Sequence, residues 1–285
     1  ADKRDMRITL FLGVAAAAAL LTPGLAAQSG GYDHAWLEYE AAESAFRAGD
    51  YSEALRRYAH ALELKPVYPE AFLGTARVYR RQSDTVLAER YYRRALESAG
   101  QLVIPDERYA IRIELAKMYD GKRDKPEYDR MYRNELLTVI EDDPTFSGDD
   151  PPGQREAMLE VLYQDGLNRV IVLYRLGFPQ ALDAHRMYAR YVLEQPGREN
   201  AERAVEHLLF AVVEIVGRAV EAIIEEEFDY EFTTLRDLYA VAASHERVTA
   251  YLEEESLLRT LRTLAAALRR SERPDGERVA AEIEG

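Results

Sequence analysis

Gly49-Asp50-Tyr51-Ser52-Glu53-Ala54-Leu55-Arg56-Arg57-Tyr58-Ala59-His60-Ala61-Leu62-Glu63-Leu64-Lys65-Pro66 is answered, 34 residues on, by Ser83-Asp84-Thr85-Val86-Leu87-Ala88-Glu89-Arg90-Tyr91-Tyr92-Arg93-Arg94-Ala95-Leu96-Glu97. At this offset Ala54 matches Ala88, Tyr58 matches Tyr92 and Ala61 matches Ala95, while upstream Ala42 matches Ala76. Self-similarity at such a period marks a structural unit that cannot bury its apolar face alone and stacks on its neighbours.

The residue types explain how. Two antiparallel helices approach closely only where small side chains face each other, which is the office of Ala42, Ala54, Ala61, Ala76, Ala88 and Ala95. Tyr58, Phe72, Tyr79 and Tyr92 then fill the gaps between successive helices. Asp50 with Glu53 forms a capping-box pattern at a helix start, Pro66 stops that helix, and Pro69 opens the next one in its first turn.

These units resemble the tetratricopeptide repeat family, the first being near its consensus second helix. A third unit is worn: Leu115-Ala116-Lys117-Met118-Tyr119 matches the first-helix signature and Tyr132 the second-helix aromatic, with about six residues inserted near 100–106. Tyr128 and Glu135 stand where small residues are expected, and Glu38 and Ala45 depart from the pattern in the first unit. The resemblance covers residues 33–141. It implies a concave groove lined by the first helices: Trp36, Tyr39, Glu43 and Phe46, then Leu73, Arg77, Arg80 and Arg81, then Ile113, Glu114 and Lys117. Aromatic side chains beside arginines are the composition of binding hot spots. Trp36 and Phe46 have a second reading, as cover for the open end of the first repeat. The lysine–asparagine clamp with which some family members grip a C-terminal carboxylate is not reproduced, because Tyr39, Glu43 and Gly74 occupy its positions.

The 285 residues are 47% apolar, enough for a sizeable core, and carry 37 Lys and Arg against 51 Asp and Glu, a formal charge of −14. That balance argues against nucleic acid, whose binders neutralise phosphates with cations. With no cysteine, disulfides, thiolate zinc sites and thiol nucleophiles are excluded. Near the beginning, Arg7 precedes an apolar run over residues 8–21, followed by Pro23-Gly24 and small residues. This reads as a secretory signal over residues 1–27, with 1–5 an upstream remnant and cleavage after Ala26 or Ala27. The run falls short of the roughly 20 residues of a membrane span, and no other stretch reaches it. The expected product is exported, periplasmic or extracellular, with no stable membrane span.

Residues 142–153, rich in Pro, Gly and Asp, read as a linker before a C-terminal helical region over 154–270. There Leu159, Leu162, Tyr163, Leu167, Val170, Ile171 and Tyr174 form one stripe, ended by Gly177 and Pro179, with 181–193 as its return partner in a degenerate repeat. Residues 200–228 would make a helix of about 43 Å with a stripe wide enough to need cover on two sides. Helices over 234–243 and 248–268 can supply it within the chain, or part of the stripe is a seam for a homo-oligomer. Residues 271–285 read as a loose tail. The expected fold is all-α: a tetratricopeptide-type helix-hairpin solenoid followed by a helical bundle.

Chemistry is sparse. None of His34, His60, His185, His207 and His245 has a glutamate three residues before it, and no zinc-protease, serine-hydrolase or nucleotide-loop motif occurs. Glu214, Glu221 and Glu225 share a helix face that reads as solvated, and His207 as satisfied by Glu206. Glu43-Ser44-Ala45-Phe46 resembles the Glu-Ser motif of lytic transglycosylases, but it sits inside a repeat helix with no lysozyme-like domain around it. No catalytic residue, cofactor or metal is assigned. The expected function is an exported adaptor or scaffold that holds a protein or extended peptide. The alternatives are a glycan-acting envelope enzyme with Glu43 as its acid, and a structural subunit that self-assembles through 200–228.

Overall fold

The computed structural model describes residues 23–147, 151–174, 181–226 and 234–285. Every regular element among them is helical. The residues 8–21 on which the signal reading rests lie outside the described ones. No helix among the described residues is long and apolar enough to cross a membrane. The chain divides into two compact units, residues 1–111 and 112–285.

In the first unit α1 (Pro23–Arg47) pairs with α2 (Tyr51–Leu64), and α3 (Pro69–Arg81) pairs with α4 (Thr85–Glu97). The 34-residue offset reappears in the hairpin turns. Gly49 and Ser83 both take left-handed backbone, at φ +80° and +63°. The Asp50 N–H donates to the Ala45 carbonyl and the Asp84 N–H to the Tyr79 carbonyl, both at 2.9 Å. Asp50 and Asp84 then cap the next helices, accepting at 3.0 Å from the N–H groups of Glu53 and Leu87. Only half of the expected capping box forms: the Glu53 carboxylate is taken by Arg56 and Arg57, at 2.5 and 2.7 Å. The alanines at 42, 54, 61, 76, 88 and 95 are fully buried, as are Tyr58 and Tyr92, the first with no exposed surface and the second with 1%.

The two hairpins interlock through Tyr58. A Cβ on Gly74 would fall 2.4 Å from Cε1 of the Tyr58 ring, so only glycine lets α3 ride over it. The Tyr58 hydroxyl continues across to α1, where it donates to Glu43 Oε1 at 2.6 Å. The inserted stretch after α4 forms a 3-10 turn, Ala99–Gln101, and a loop whose Leu102 is buried. Glu70, in the first turn of α3, accepts the Val103 N–H at 2.8 Å and pins that loop. Helix α5 (Glu107–Asp120) follows.

The second unit continues with α6 (Pro126–Glu141), α7 (Pro144–Ser147), α8 (Pro151–Asp165), α9 (Leu167–Tyr174), α10 (Leu182–Leu193), α11 (Arg198–Glu226), α12 (Leu235–Ala242), α13 (Glu246–Glu254), α14 (Leu257–Arg270) and α15 (Gly276–Glu284). Its axis is α11, whose 29 residues span about 43 Å. Its stripe, from Ala201 through Leu208, Val212 and Ile215 to Ile223, is buried, chiefly by α10 on one side and α14 on the other. The stripe is thus buried within the chain from Ala201 to Ile223, while Arg218, Glu221 and Glu225 stay exposed.

Four expectations for this half give way. The stretch read as a linker enters the core where it is described: Asp143 and Phe146, at and just after the start of α7, are 2% and 8% exposed, while residues 148–150 lie outside the described ones. The stripe over 159–174 breaks into α8 and α9 at Gly166, whose φ of +85° ends a helix cheaply only in glycine. Ser256, left-handed at φ +55°, divides 248–268 into α13 and α14. The supposed tail folds back as α15, burying Val279 and Ala280 against α14. Arg269 anchors it through Glu277 and Glu284, at 3.2 and 2.7 Å. Gly177 and Pro179 lie outside the described residues.

Candidate functional site

In the first unit α1 and α3 bring several of the groove residues together. Trp36 stands out on α1, 55% exposed, with Leu37 equally exposed beside it. One turn on, the Tyr39 ring lies 5.4 Å from Tyr68 and 6.1 Å from Tyr58. Next along the helix is Glu43, half-buried and hydrogen-bonded to Tyr58. Phe46 turns toward the start of α2, its ring 5.9 Å from Tyr51, and closes the end of the first hairpin. On α3, Leu73 is buried and offers little surface, Arg77 and Arg80 are half-buried, and Arg81 is exposed.

Arg77 is the electrostatic centre of this face. Its positive field reaches Tyr39, Tyr58, Tyr92 and the Glu107 carboxylate. Burial pushes the Glu107 carboxyl up, Arg77 pulls it down, and Glu70 and Glu43 push it up again. Glu107 thus feels one guanidinium and two other carboxylates, and no side-chain hydrogen bond or ion pair holds Arg77 among the described residues. The phenols stay protonated: burial raises Tyr39 and Tyr58 above the ordinary tyrosine range, and Tyr68 to about 12. Flat aromatic faces beside both signs of charge suit an extended polypeptide, whose backbone carbonyls and N–H groups need donors and acceptors in turn.

Glu43 has a structural task that its four-residue motif did not disclose. Tyr58 already donates to it, so it ties α2 to α1. Glu107 was missed as a member of this face because it follows the insertion near 100–106, outside the repeat register, whereas Glu70 lies within the register, 34 residues after Trp36, and was passed over.

The other groove residues belong to the second unit. Ile113 is buried, Glu114 lies 3.4 Å from Lys117, and Lys117 also approaches Asp183 at 3.5 Å.

The second unit also buries a polar relay. Asp143 Oδ1 accepts from the Thr145 N–H and hydroxyl at 2.9 and 2.6 Å, and its Oδ2 lies 3.4 Å from His185 Nε2. His185 Nδ1 then meets His207 Nδ1 at 2.9 Å. A carboxylate can only accept, so it places the His185 proton on Nε2, and the His207 Nδ1–H donates to the bare His185 Nδ1. Burial lowers the pKa of both rings and keeps them neutral. Phe146, at 4.8 and 4.9 Å from the two histidine rings, seals the pair. Glu206, expected beside His207, instead pairs with Arg155 at 2.9 Å. Glu214, expected on a solvated face with Glu221 and Glu225, is fully buried and bonded to Arg218 at 2.5 Å. Burial raises its carboxyl to about 7, while Arg218 opposes the shift. No three His, Asp or Glu side chains among the described residues are arranged to hold a metal ion.

No family model matches the chain. Over 201 residues it is 27% identical to an uncharacterized protein of Treponema pallidum (strain Nichols), a stretch that is 68% of this chain and 50% of that protein. The chain spans about half the length of the relative it matches.

Proposed function

We propose that the first unit is a tetratricopeptide-type helix-hairpin scaffold, exported to the cell envelope, that holds an extended segment of another protein. The observation that carries this reading is the α1–α3 face, where Arg77 and Glu107 act on Tyr39, one turn along α1 from the exposed Trp36. The atom-for-atom repetition of the hairpin turns at 34 residues supports the repeat architecture. Export rests on Arg7 and the apolar run after it.

On this reading the guest lies along α1 and α3, its side chains against Tyr39 and Trp36 and its backbone carbonyls toward Arg77. Glu43 and Glu107 favour basic side chains on the guest and reject acidic ones. The role is binding and positioning, with no bond made or broken.

Affinity capture from an envelope extract tests it, with the intact protein beside the Tyr39→Ala/Arg77→Glu double variant. The proposal expects a discrete protein retained by the first and lost from the second. Equal retention by both, with both folded by circular dichroism, overturns it.

A further inference from the structure

The second unit contains a cavity of about 280 Å³ formed by α5, α10, α11 and the corner between α13 and α14. Buried Met187 and Leu208 are apolar parts of its lining. Ser256 turns the chain so that Arg259 and Thr260, and Thr263 one turn further along α14, line one side. Asp183, Arg186 and Arg190 of α10 line another, at the three- and four-residue spacing of one helix face.

The charges in this lining are not all matched. Arg186 is used in holding the corner: it donates to the Glu255 carbonyl at 2.5 Å and to Asp183 at 2.7 Å. Asp183 is further approached by Lys117, and Asp120 is taken by Arg123 at 2.7 Å. Arg190 and Arg259, both exposed, form no ion pair or side-chain hydrogen bond among the described residues, although the field of Arg190 helps hold the Glu194 carboxyl down. Glu254 is the one lining carboxylate without a bonded cation among them, and it is exposed. Two exposed guanidiniums, each with its N–H donors unspent on side chains, thus border one concavity.

We propose that this cavity binds a small molecule bearing an oxyanion, a carboxylate or a phosphate, held between Arg190 and Arg259. Guanidinium matches both groups through paired N–H donors. The Thr260 and Thr263 hydroxyls each already donate to a carbonyl one turn back, so toward a ligand they can only accept. Specificity for the anion therefore rests on the two arginines. The volume lies just under the usual range for small-molecule pockets, about 300–1,000 Å³, which limits the ligand to a metabolite-sized one. The inference depends only on residues of the second unit and stands whether or not the first unit holds a polypeptide.

Titration calorimetry on the full chain tests it, with inorganic phosphate and succinate as separate probes at constant ionic strength in chloride. The proposal expects saturable binding of at least one probe, weakened about tenfold or more in Arg190→Ala/Arg259→Ala and less in Arg259→Lys, tenfold being about 1.4 kcal/mol. Binding of phosphate alone indicates a phosphorylated ligand, and binding of succinate alone a carboxylate. Neither side chain is bonded to another among the described residues, so the variants should keep the wild-type circular dichroism and melting temperature. Failure of both probes to bind, or equal binding by the double variant, overturns the proposal.

Discussion

Tyr58 occupies the space that a side chain on Gly74 would need, with its hydroxyl oxygen 2.5 Å from where that Cβ would stand. The same hydroxyl ends on Glu43, so one ring joins α1, α2 and α3.

Gly74→Ala therefore gives a test of opposite signs. Helix propensity alone favours alanine over glycine by about 1 kcal/mol within a helix. The clash with Tyr58 predicts net destabilisation, since overfilling a packed site costs about 1–3 kcal/mol. A denaturant midpoint above that of the wild type would show that α3 does not ride on Tyr58.

Tyr92 occupies the matching place in the second hairpin and is 1% exposed. Tyr92→Ala should cost about 3–5 kcal/mol by leaving a cavity between helices. A melting temperature equal to that of the wild type would contradict the register.

Acid and alkali should weaken the second unit for different reasons. Burial lowers the pKa of His185 and His207, so the unfolded chain takes up protons before the folded one does. The stability they leave intact above about pH 6.5 is lost as pH falls. Glu214, raised to about 7, acts in the opposite sense. Its contribution is fully present below about pH 4.5, its unfolded value, and is lost as pH rises through 7. Glu214→Gln should match the wild type in acid and exceed it by on the order of 1–3 kcal/mol near pH 8. Urea unfolding across pH checks this, and parallel profiles would refute it.

The legible part of the fold was the part whose contacts repeat in sequence. Ala54, Tyr58 and Ala61 recur at 88, 92 and 95, and the alanine–aromatic chemistry is readable without coordinates. What stayed hidden depends on partners far along the chain. Pro and Gly around 142–153 read as a linker because nothing local announces that Asp143 will meet His185, 42 residues away. Glu214 shares a helix face with exposed Glu221 and Glu225, but it is buried near the middle of α11, where Asp143 and Glu255 reach it from far along the chain. Ser256 reverses the backbone with no glycine to signal it. In the candidate site, Tyr39 and Arg77 follow from the repeat register, whereas Glu107 arrives after an insertion that shifts it.

Site-specific photocrosslinking in cells tests the central claim most directly, with the crosslinker at Arg77 in the face between α1 and α3, and at Arg90 on the exposed side of α4 as control. The account predicts one discrete adduct from position 77, absent at position 90 and lost when Tyr39→Ala is added. Adducts of equal yield at both positions, or none at 77, would contradict it.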